Sequence, residues 1–299
     1  MLAACAPAPD REPALPTRGV LTVNGMQYPY FIEGSGSPTC LVVGYPLAVS
    51  RALSSQLKER LRFVFLESRL TTSESVVGDV SAMTMDTLVD DIEQARVALG
   101  LERVCVLGHS IAGILAVEYA RKYPRQVTHA IMHGTPPYWN QRAADSLAAF
   151  WEREASPGRK QQLEANWARV SQDSLGKLSP SQAVILTYIT NAPKYFHDPT
   201  YDPGWILEGD YWNVEAMQRL LGPIMAEYDL ATGPAIEPPV FLAIGRSDYI
   251  VPFLLWDTEG SKIPNLSYHL FDQSGHYPML EEAARFDELL LAWIQGTSR

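Results

Sequence analysis

From Gly19 onward, short apolar runs alternate with stretches of helical period, and that alternation is the first thing the chain specifies. Residues 19–23 and 26–32 read as strands flanking Asn24-Gly25, a pair that tolerates the positive φ of a two-residue hairpin turn. After a loop holding Gly34, Gly36 and Pro38, residues 39–43 form a buried strand. Residues 48–61 read as a helix, 62–66 as a strand and 84–99 as an amphipathic helix. In that helix Leu88, Ile92, Ala95 and Leu99 share one face, and Asp86, Asp90 and Asp91 put negative charge toward the N-terminal half, where the helix dipole favours it. A strand over 103–107, a helix over 111–122 and a strand over 127–132 follow. Such β-α-β alternation predicts an α/β fold: a mostly parallel sheet covered on both faces, with right-handed crossovers.

The alternation stops at Tyr138. Through Leu230 the pattern is helical, broken by proline-containing linkers, and strands resume only at 240–244 and 266–271, before a final helix over 279–294. Because the sheet needs both flanks, the predicted organisation is a core of residues 19–137 and 231–299 with a helical cap, 138–230, inserted between sheet strands. Thirteen of the chain's thirty aromatic residues lie in that insertion, more than its share by length.

Composition narrows the function classes. Of 299 residues, 46% are apolar and 19% charged, enough to bury a sizeable core and unlike a disordered chain. The formal net charge of −10 repels phosphate backbones, so nucleic acid is not an expected partner. Apolar runs are only strand-length, so no transmembrane segment is expected. A small-molecule substrate or ligand is the remaining partner class; the oligomeric state is open.

Three cysteines make no disulfide framework, and Cys40 and Cys105 sit inside apolar strands as small hydrophobes. Cys5 closes Leu2-Ala3-Ala4-Cys5, which resembles the cleavage motif of bacterial lipoprotein signals, although no basic or apolar signal region precedes it. Residues 1–18, with four prolines between Ala6 and Arg18, read as a flexible tether. The expected location is cytoplasmic, or the bacterial envelope if Cys5 carries a lipid anchor.

The chemistry centres on Gly108-His109-Ser110-Ile111-Ala112-Gly113, set between an apolar strand and a helix. A nucleophile on so tight a turn needs very small neighbours, and Gly108 and Ala112 meet the G-x-S-x-[GA] pattern. A serine hydroxyl also needs a base to take its proton and a carboxylate to orient that base. Among six histidines, His109 adjoins the serine and is expected to point elsewhere on the turn; His129, His133 and His269 lie in or at strands, and His197 lies in the insertion. His276 lies in the loop between the last strand and the last helix, and it is the expected base because that position resembles the catalytic-histidine loop of α/β-hydrolases. Asp248, directly after the strand at 240–245, is 138 residues past Ser110 and 28 before His276, in the chain order Ser, Asp, His.

With these residues in view, the chain resembles the α/β-hydrolases. The motif around Ser110 is similar to their nucleophile elbow, Gly275-His276 to their histidine loop, and Gly245 through Asp248 to Val251-Pro252 to their acid loop. The resemblance implies an oxyanion hole made by the N–H of Ile111 and by Tyr45 in Val43-Gly44-Tyr45-Pro46, where relatives read His-Gly-x-P. It implies a serine hydrolase, carboxylesterase-like, that cleaves a small ester, lactone or amide through an acyl-enzyme. The stretch from Ala192 through Trp205 to Gly209 is similar to the cap of proline iminopeptidase-like relatives, and Tyr195, Trp205 and Trp212 are its candidate substrate contacts. Those peptidases read G-G-S-W-G and H-G-G-P-G where this chain does not, so peptidase activity is not what the motifs imply. A cofactor-free perhydrolase would use the same three residues, and a slow or inactive ligand-binding homologue is the alternative from another class. No metal cluster, Walker loop or dinucleotide fingerprint occurs, so no cofactor is implied.

Overall fold

Asn24 and Gly25 adopt φ of 50° and 80°, closing a hairpin in which Val23 pairs with Met26. In this computed structural model, which describes residues 17–257 and 259–297 (but not the side chains of 172 and 174), that hairpin opens an eight-stranded sheet. Its strands are β1 (Arg18–Val23), β2 (Met26–Glu33), β3 (Thr39–Val43), β4 (Arg62–Leu66), β5 (Val104–His109), β6 (Val127–His133), β7 (Val240–Gly245) and β8 (Leu266–Phe271). The order is β1-β2-β4-β3-β5-β6-β7-β8; β1 and β2 run antiparallel, and β4 through β8 are parallel. β5 and β7 are buried at every position, as the centre of a sheet covered on both faces must be.

Helices α1 (Pro46–Ala52), α2 (Ser55–Arg60), α3 (Glu74–Val77), α4 (Met85–Ala98) and α5 (Ala112–Lys122) occupy the first half of the chain. The single helix expected over 48–61 is two. Leu53 turns extended, and Ser54 caps α2 by accepting from the Leu57 N–H while donating to Asp287 of the last helix. Between β6 and β7 lie α6 (Gln141–Glu154), α7 (Pro157–Ala168), α8 (Gln172–Leu175), α9 (Pro180–Thr190), α10 (Ala192–Tyr195), α11 (Val214–Arg219) and a π-helical turn at Leu220–Ile224. The base of this segment is pinned by a bridge between Tyr138 and Asp229 and by the Leu230 N–H donating to Pro137. Its far side is anchored by the fully buried Asn213, which donates to Thr72 and whose own N–H reaches Leu70.

The expected final helix is also two, α12 (Pro278–Glu281) and α13 (Ala283–Thr297). The break falls at Glu282, whose carboxylate turns back to accept from the Gln273 N–H and the Ser274 hydroxyl. Cys5 and residues 1–16 of the expected tether lie outside the described residues; Thr17 accepts from Ile32, and Arg18 already pairs in β1. No helix among the described residues is long and apolar enough to cross a membrane.

One buried cluster joins the hairpin to the helical layer. The Asp91 carboxylate on α4 accepts from Arg69 Nε at 2.6 Å, from Asn24 at 2.6 Å and from the Tyr28 hydroxyl at 3.2 Å. Asp91→Ala strands the Arg69 guanidinium without its counter-charge, and a broken buried pair costs about 3–5 kcal/mol. Chemical denaturation should show that loss, with Asn24→Ala costing far less; a loss of under about 1 kcal/mol for Asp91→Ala would mean the cluster is solvated.

Candidate active site

Ser110 directly follows β5 in the left-handed region, φ 55°, a conformation that a non-glycine residue holds only when its surroundings impose it. Its N–H is tied to His133 on the neighbouring strand at 2.9 Å, and α5 begins directly after it. The turn is too tight for a side chain at 108, where a Cβ would stand 2.2 Å from the Ala112 carbonyl oxygen. The methyl of Ala112, present where the motif more often has glycine, is accommodated because residue 44 is also glycine: a Cβ there would lie 2.7 Å from it. The Gly44-Tyr45 loop thus packs directly on the serine turn.

That packing brings the two expected oxyanion donors to one place. Tyr45 (φ 51°) precedes α1 and Ile111 precedes α5, so each N–H belongs to a helix start, where backbone donors lack intrahelical acceptors. Among the described residues neither N–H is bonded to a protein acceptor, and both residues line the cavity into which Ser110 faces.

His276 and Asp248 meet behind that cavity. His276 Nδ1 lies 2.6 Å from Asp248 Oδ2, and since a carboxylate can only accept, Nδ1 carries the proton and Nε2 is left as the basic nitrogen. Asp248 is fully buried and its second oxygen accepts from the Ile250 and Val251 N–H groups at 2.9 and 2.7 Å. It therefore caps its own loop with one oxygen and orients the imidazole with the other. Ser110 and His276 line the same cavity, and no hydrogen bond joins them among the described residues.

The cavity holds about 550 Å³. Around the serine runs a closed belt of rings: Tyr45, Trp212, Tyr188, Tyr195, His276 and His109, each 3.8–6.5 Å from the next. Met217, Leu221, Val184 and Ile250 extend the apolar wall. Of the three candidate contacts, Tyr195 and Trp212 line this cavity. Trp205 does not: it is 48% exposed, bonds the Tyr201 hydroxyl and is absent from the cavity wall. Its neighbour Ile206 takes the buried position in that loop, which leaves the indole outside.

His109 also departs from expectation, since it faces the cavity instead of pointing away from it. Its ring lies 4.6 Å from that of His276, and its Nδ1 bonds His133 Nδ1 at 2.9 Å. Burial and the neighbouring imidazoles push both side chains down, His133 to about 3, so the pair is neutral at physiological pH and adds no positive charge beside His276. Tyr188, one of the insertion's thirteen aromatic residues, also lines the cavity, whereas nothing in the sequence marked His109, Tyr277 or Met217 as cavity residues. Only the strand's two-residue period, which turns 109 and 133 toward one another at the ends of β5 and β6, hinted at the pair.

A second layer holds the histidine loop. Glu281 accepts from the Gly275 N–H at 2.8 Å and the His197 N–H at 2.6 Å. No cluster of three or more His, Cys, Asp and Glu side chains able to hold a metal ion occurs among the described residues.

Known proteins share this framework. Residues 50–283 match the model of a family described as alpha/beta hydrolase fold. The AB hydrolase superfamily protein YclE of Bacillus subtilis (strain 168) is 31% identical over 278 residues, 92% of this chain and 98% of that protein. A proline iminopeptidase of Clostridium botulinum is 25% identical over 70% of this chain and 71% of its own length. Among solved structures, an alpha/beta fold family hydrolase from Bacillus anthracis superposes with a TM-score of 0.68 at 17% identity, over 94% of this chain and 99% of that one. An esterase from Exiguobacterium antarcticum does so with a TM-score of 0.60 at 18% identity, over 92% of this chain and 98% of that one.

The Glu281 carboxyl provides a test of how dry the second layer is. Burial pushes it up to about 7, outweighing the N–H bonds that favour its ionised form. A carboxyl raised in the fold binds its proton more tightly folded than unfolded. Its stabilising contribution is therefore complete below the ordinary carboxylate range and is lost as pH rises to about 7. The melting-temperature difference between Glu281→Gln and the native chain should accordingly move in the variant's favour between about pH 4.5 and pH 8. A gap that stays constant over that range would show that Glu281 is ionised and solvated.

Proposed function

The chain belongs to the α/β-hydrolase fold family, and from that premise we propose that it is a serine hydrolase cleaving a neutral ester, lactone or amide with a bulky apolar part. The observation that carries the reading is the buried His276–Asp248 bond of 2.6 Å, opening onto the same cavity as a serine held at φ 55°. In this mechanism His276 Nε2 takes the Ser110 proton as Oγ attacks the carbonyl carbon, and Asp248 stabilises the imidazolium that forms. The Ile111 and Tyr45 N–H groups receive the oxyanion, His276 returns the proton to the leaving group, and water repeats the sequence to free the acid. The helical segment between β6 and β7 acts as a cap that contributes Tyr188, Tyr195 and Trp212 to the wall and limits water around the acyl-enzyme.

The substrate class follows from the lining. Among the described residues no Asp, Glu, Lys or Arg side chain reaches the cavity wall. An aminopeptidase must compensate a substrate's ammonium group, and a buried cation without a counter-charge is too costly to bind. The named peptidase relatives therefore do not transfer their substrate, and an uncharged acyl or alkyl group with aliphatic or aromatic surface fits the belt of rings.

Two experiments follow. Ser110→Ala and His276→Ala should each lower turnover of p-nitrophenyl esters by at least about 10³-fold, with the double variant little worse, because the groups act as a unit. Fluorophosphonate should label the native chain and not Ser110→Ala. Additive losses, or labelling that survives the substitution, would remove the assignment, and an unlabelled native chain would favour a ligand-binding homologue.

A panel of p-nitrophenyl esters of rising chain length separates wall from scaffold. Tyr195→Ala and Trp212→Ala should change the preferred chain length by roughly tens of fold, the worth of about 1–3 kcal/mol of apolar contact, whereas Trp205→Ala should leave the profile unchanged. If activity instead falls equally for every ester and tracks a stability loss of about 3–5 kcal/mol, the rings serve packing alone.

A further inference from the structure

The loops that carry His276 and Asp248 bond one another directly, the Ser247 N–H donating to the Ser274 carbonyl at 2.9 Å, but the residues nearest the pair are held from outside both loops. Both lean on residues 194 and 195 of the inserted segment. The His276 N–H donates to the Tyr195 carbonyl, and the Tyr249 N–H, next to Asp248, donates to the Lys194 carbonyl at 3.0 Å. The fit is close: a Cβ on Gly275 would lie 2.1 Å from the Tyr195 carbonyl oxygen. Whatever fixes this short stretch therefore helps to fix the two loops where they approach His276 and Asp248.

The stretch is fixed by a cation. Arg159, on α7 and only 8% exposed, donates to the Pro193 carbonyl at 2.6 Å, the Phe196 carbonyl at 2.7 Å and the His197 carbonyl. Its guanidinium also lies 5.1 Å from the centre of the Tyr249 ring, so it touches the acid loop directly. No carboxylate is within salt-bridge distance of it among the described residues. From the opposite side Glu281 accepts the His197 and Gly275 N–H groups. The peptides beneath the histidine are thus gripped by their carbonyls on one side and by their amides on the other. A rigid planar fork serves three carbonyls at once, which a lysine ammonium on a flexible stem does not.

We propose that Arg159 is a positioning residue for the His276–Asp248 pair, acting through the peptide groups of residues 193–197. The proposal rests on the triad reading of Ser110, His276 and Asp248 and adds to it that the inserted segment builds the catalytic geometry as well as covering it. Arg159 itself lines no part of the cavity, and an acetyl ester is too small to depend on the Tyr195 ring, so with that substrate its effect falls on kcat.

The test compares the full native chain with Arg159→Met, which keeps an apolar stem and removes every donor, and Arg159→Lys, which keeps the charge and loses the fork. The readings are kcat and KM for p-nitrophenyl acetate, the fluorophosphonate labelling rate, the melting temperature, and the low-field proton resonance of His276 Nδ1–H. In Arg159→Met kcat should fall about 10- to 100-fold, as a small misplacement of reacting groups predicts, with KM within about threefold. Labelling should slow in parallel and the low-field resonance should shift or vanish, with Arg159→Lys intermediate. Variants that melt earlier yet keep native kcat and an unmoved resonance would overturn the proposal, as would a loss confined to KM. If Arg159→Met does not accumulate folded, Arg159→Lys supplies the same readings. If the native chain neither hydrolyses esters nor labels, the hydrolase reading is what fails; the resonance needs no turnover and still decides the role of Arg159.

Discussion

A carboxylate shut away from water must find all its hydrogen bonds in the protein, and Asp248 sets the terms for the rest of this molecule by being fully buried. Two of its bonds come from its own loop, through the Ile250 and Val251 N–H groups, and the third comes from His276. Its environment therefore requires β7 and β8 to end side by side, so that the loops following them meet. It also requires a cover that brings its own polar groups already satisfied. The inserted segment meets that demand with carbonyls at Lys194 and Tyr195 that accept the N–H groups nearest the pair. Without such a cover the pair would be solvated, and a hydrated carboxylate orients an imidazole far less firmly.

The same exclusion of water shapes the cavity. Six rings encircle Ser110, yet three of their Tyr hydroxyls and the indole come from side chains that need little ordering entropy for the surface they present. Burial pushes the Tyr45 and Tyr195 hydroxyls well above their ordinary value, so they remain neutral donors and bring no negative charge toward the site of attack. His109 and His133 remain neutral for the converse reason. Around Ser110 and His276, then, the lining itself offers dipoles and polarisable faces, with the Asp248 carboxylate behind the imidazole. In the proposed acyl transfer, developing charge would meet fixed N–H dipoles in a medium of low polarity, where each is worth more than in water.

Much of this was readable from the chain because period and turn chemistry are local. Asn24-Gly25, the apolar strands and the serine turn each specify their conformation within a few residues, so the eight strands fall within a residue or two of expectation. What escaped the sequence depends on contacts between distant segments. Nothing near Leu53 announces a helix break; Ser54 takes its second role from Asp287, 233 residues away. Trp205 and Trp212 look alike in sequence, and only the path of the loop, set by the buried Ile206 and Asn213, sends one indole outward and the other to the cavity. The role of Ala112 could not be weighed without knowing that Gly44 packs against it.

The point of insertion follows from the topology. β6 and β7 are adjacent parallel strands, so the chain leaving β6 beside His133 must return to the far end of the sheet before it can enter β7. An ordinary crossover needs one helix for that journey. Here the path first runs over the end of the sheet where the serine, the acid and the histidine loops emerge, and α7 and α10 pass above the ends of β7 and β8 on the way. A segment inserted after any outer strand would reach one of those loops. Inserted between β6 and β7 it can bond to the loops following both β7 and β8, as Lys194 and Tyr195 do, while its return through Asn213 packs Trp212 against Tyr45 on the oxyanion side. One connection thereby contacts the loops of His276, Asp248 and Tyr45 together.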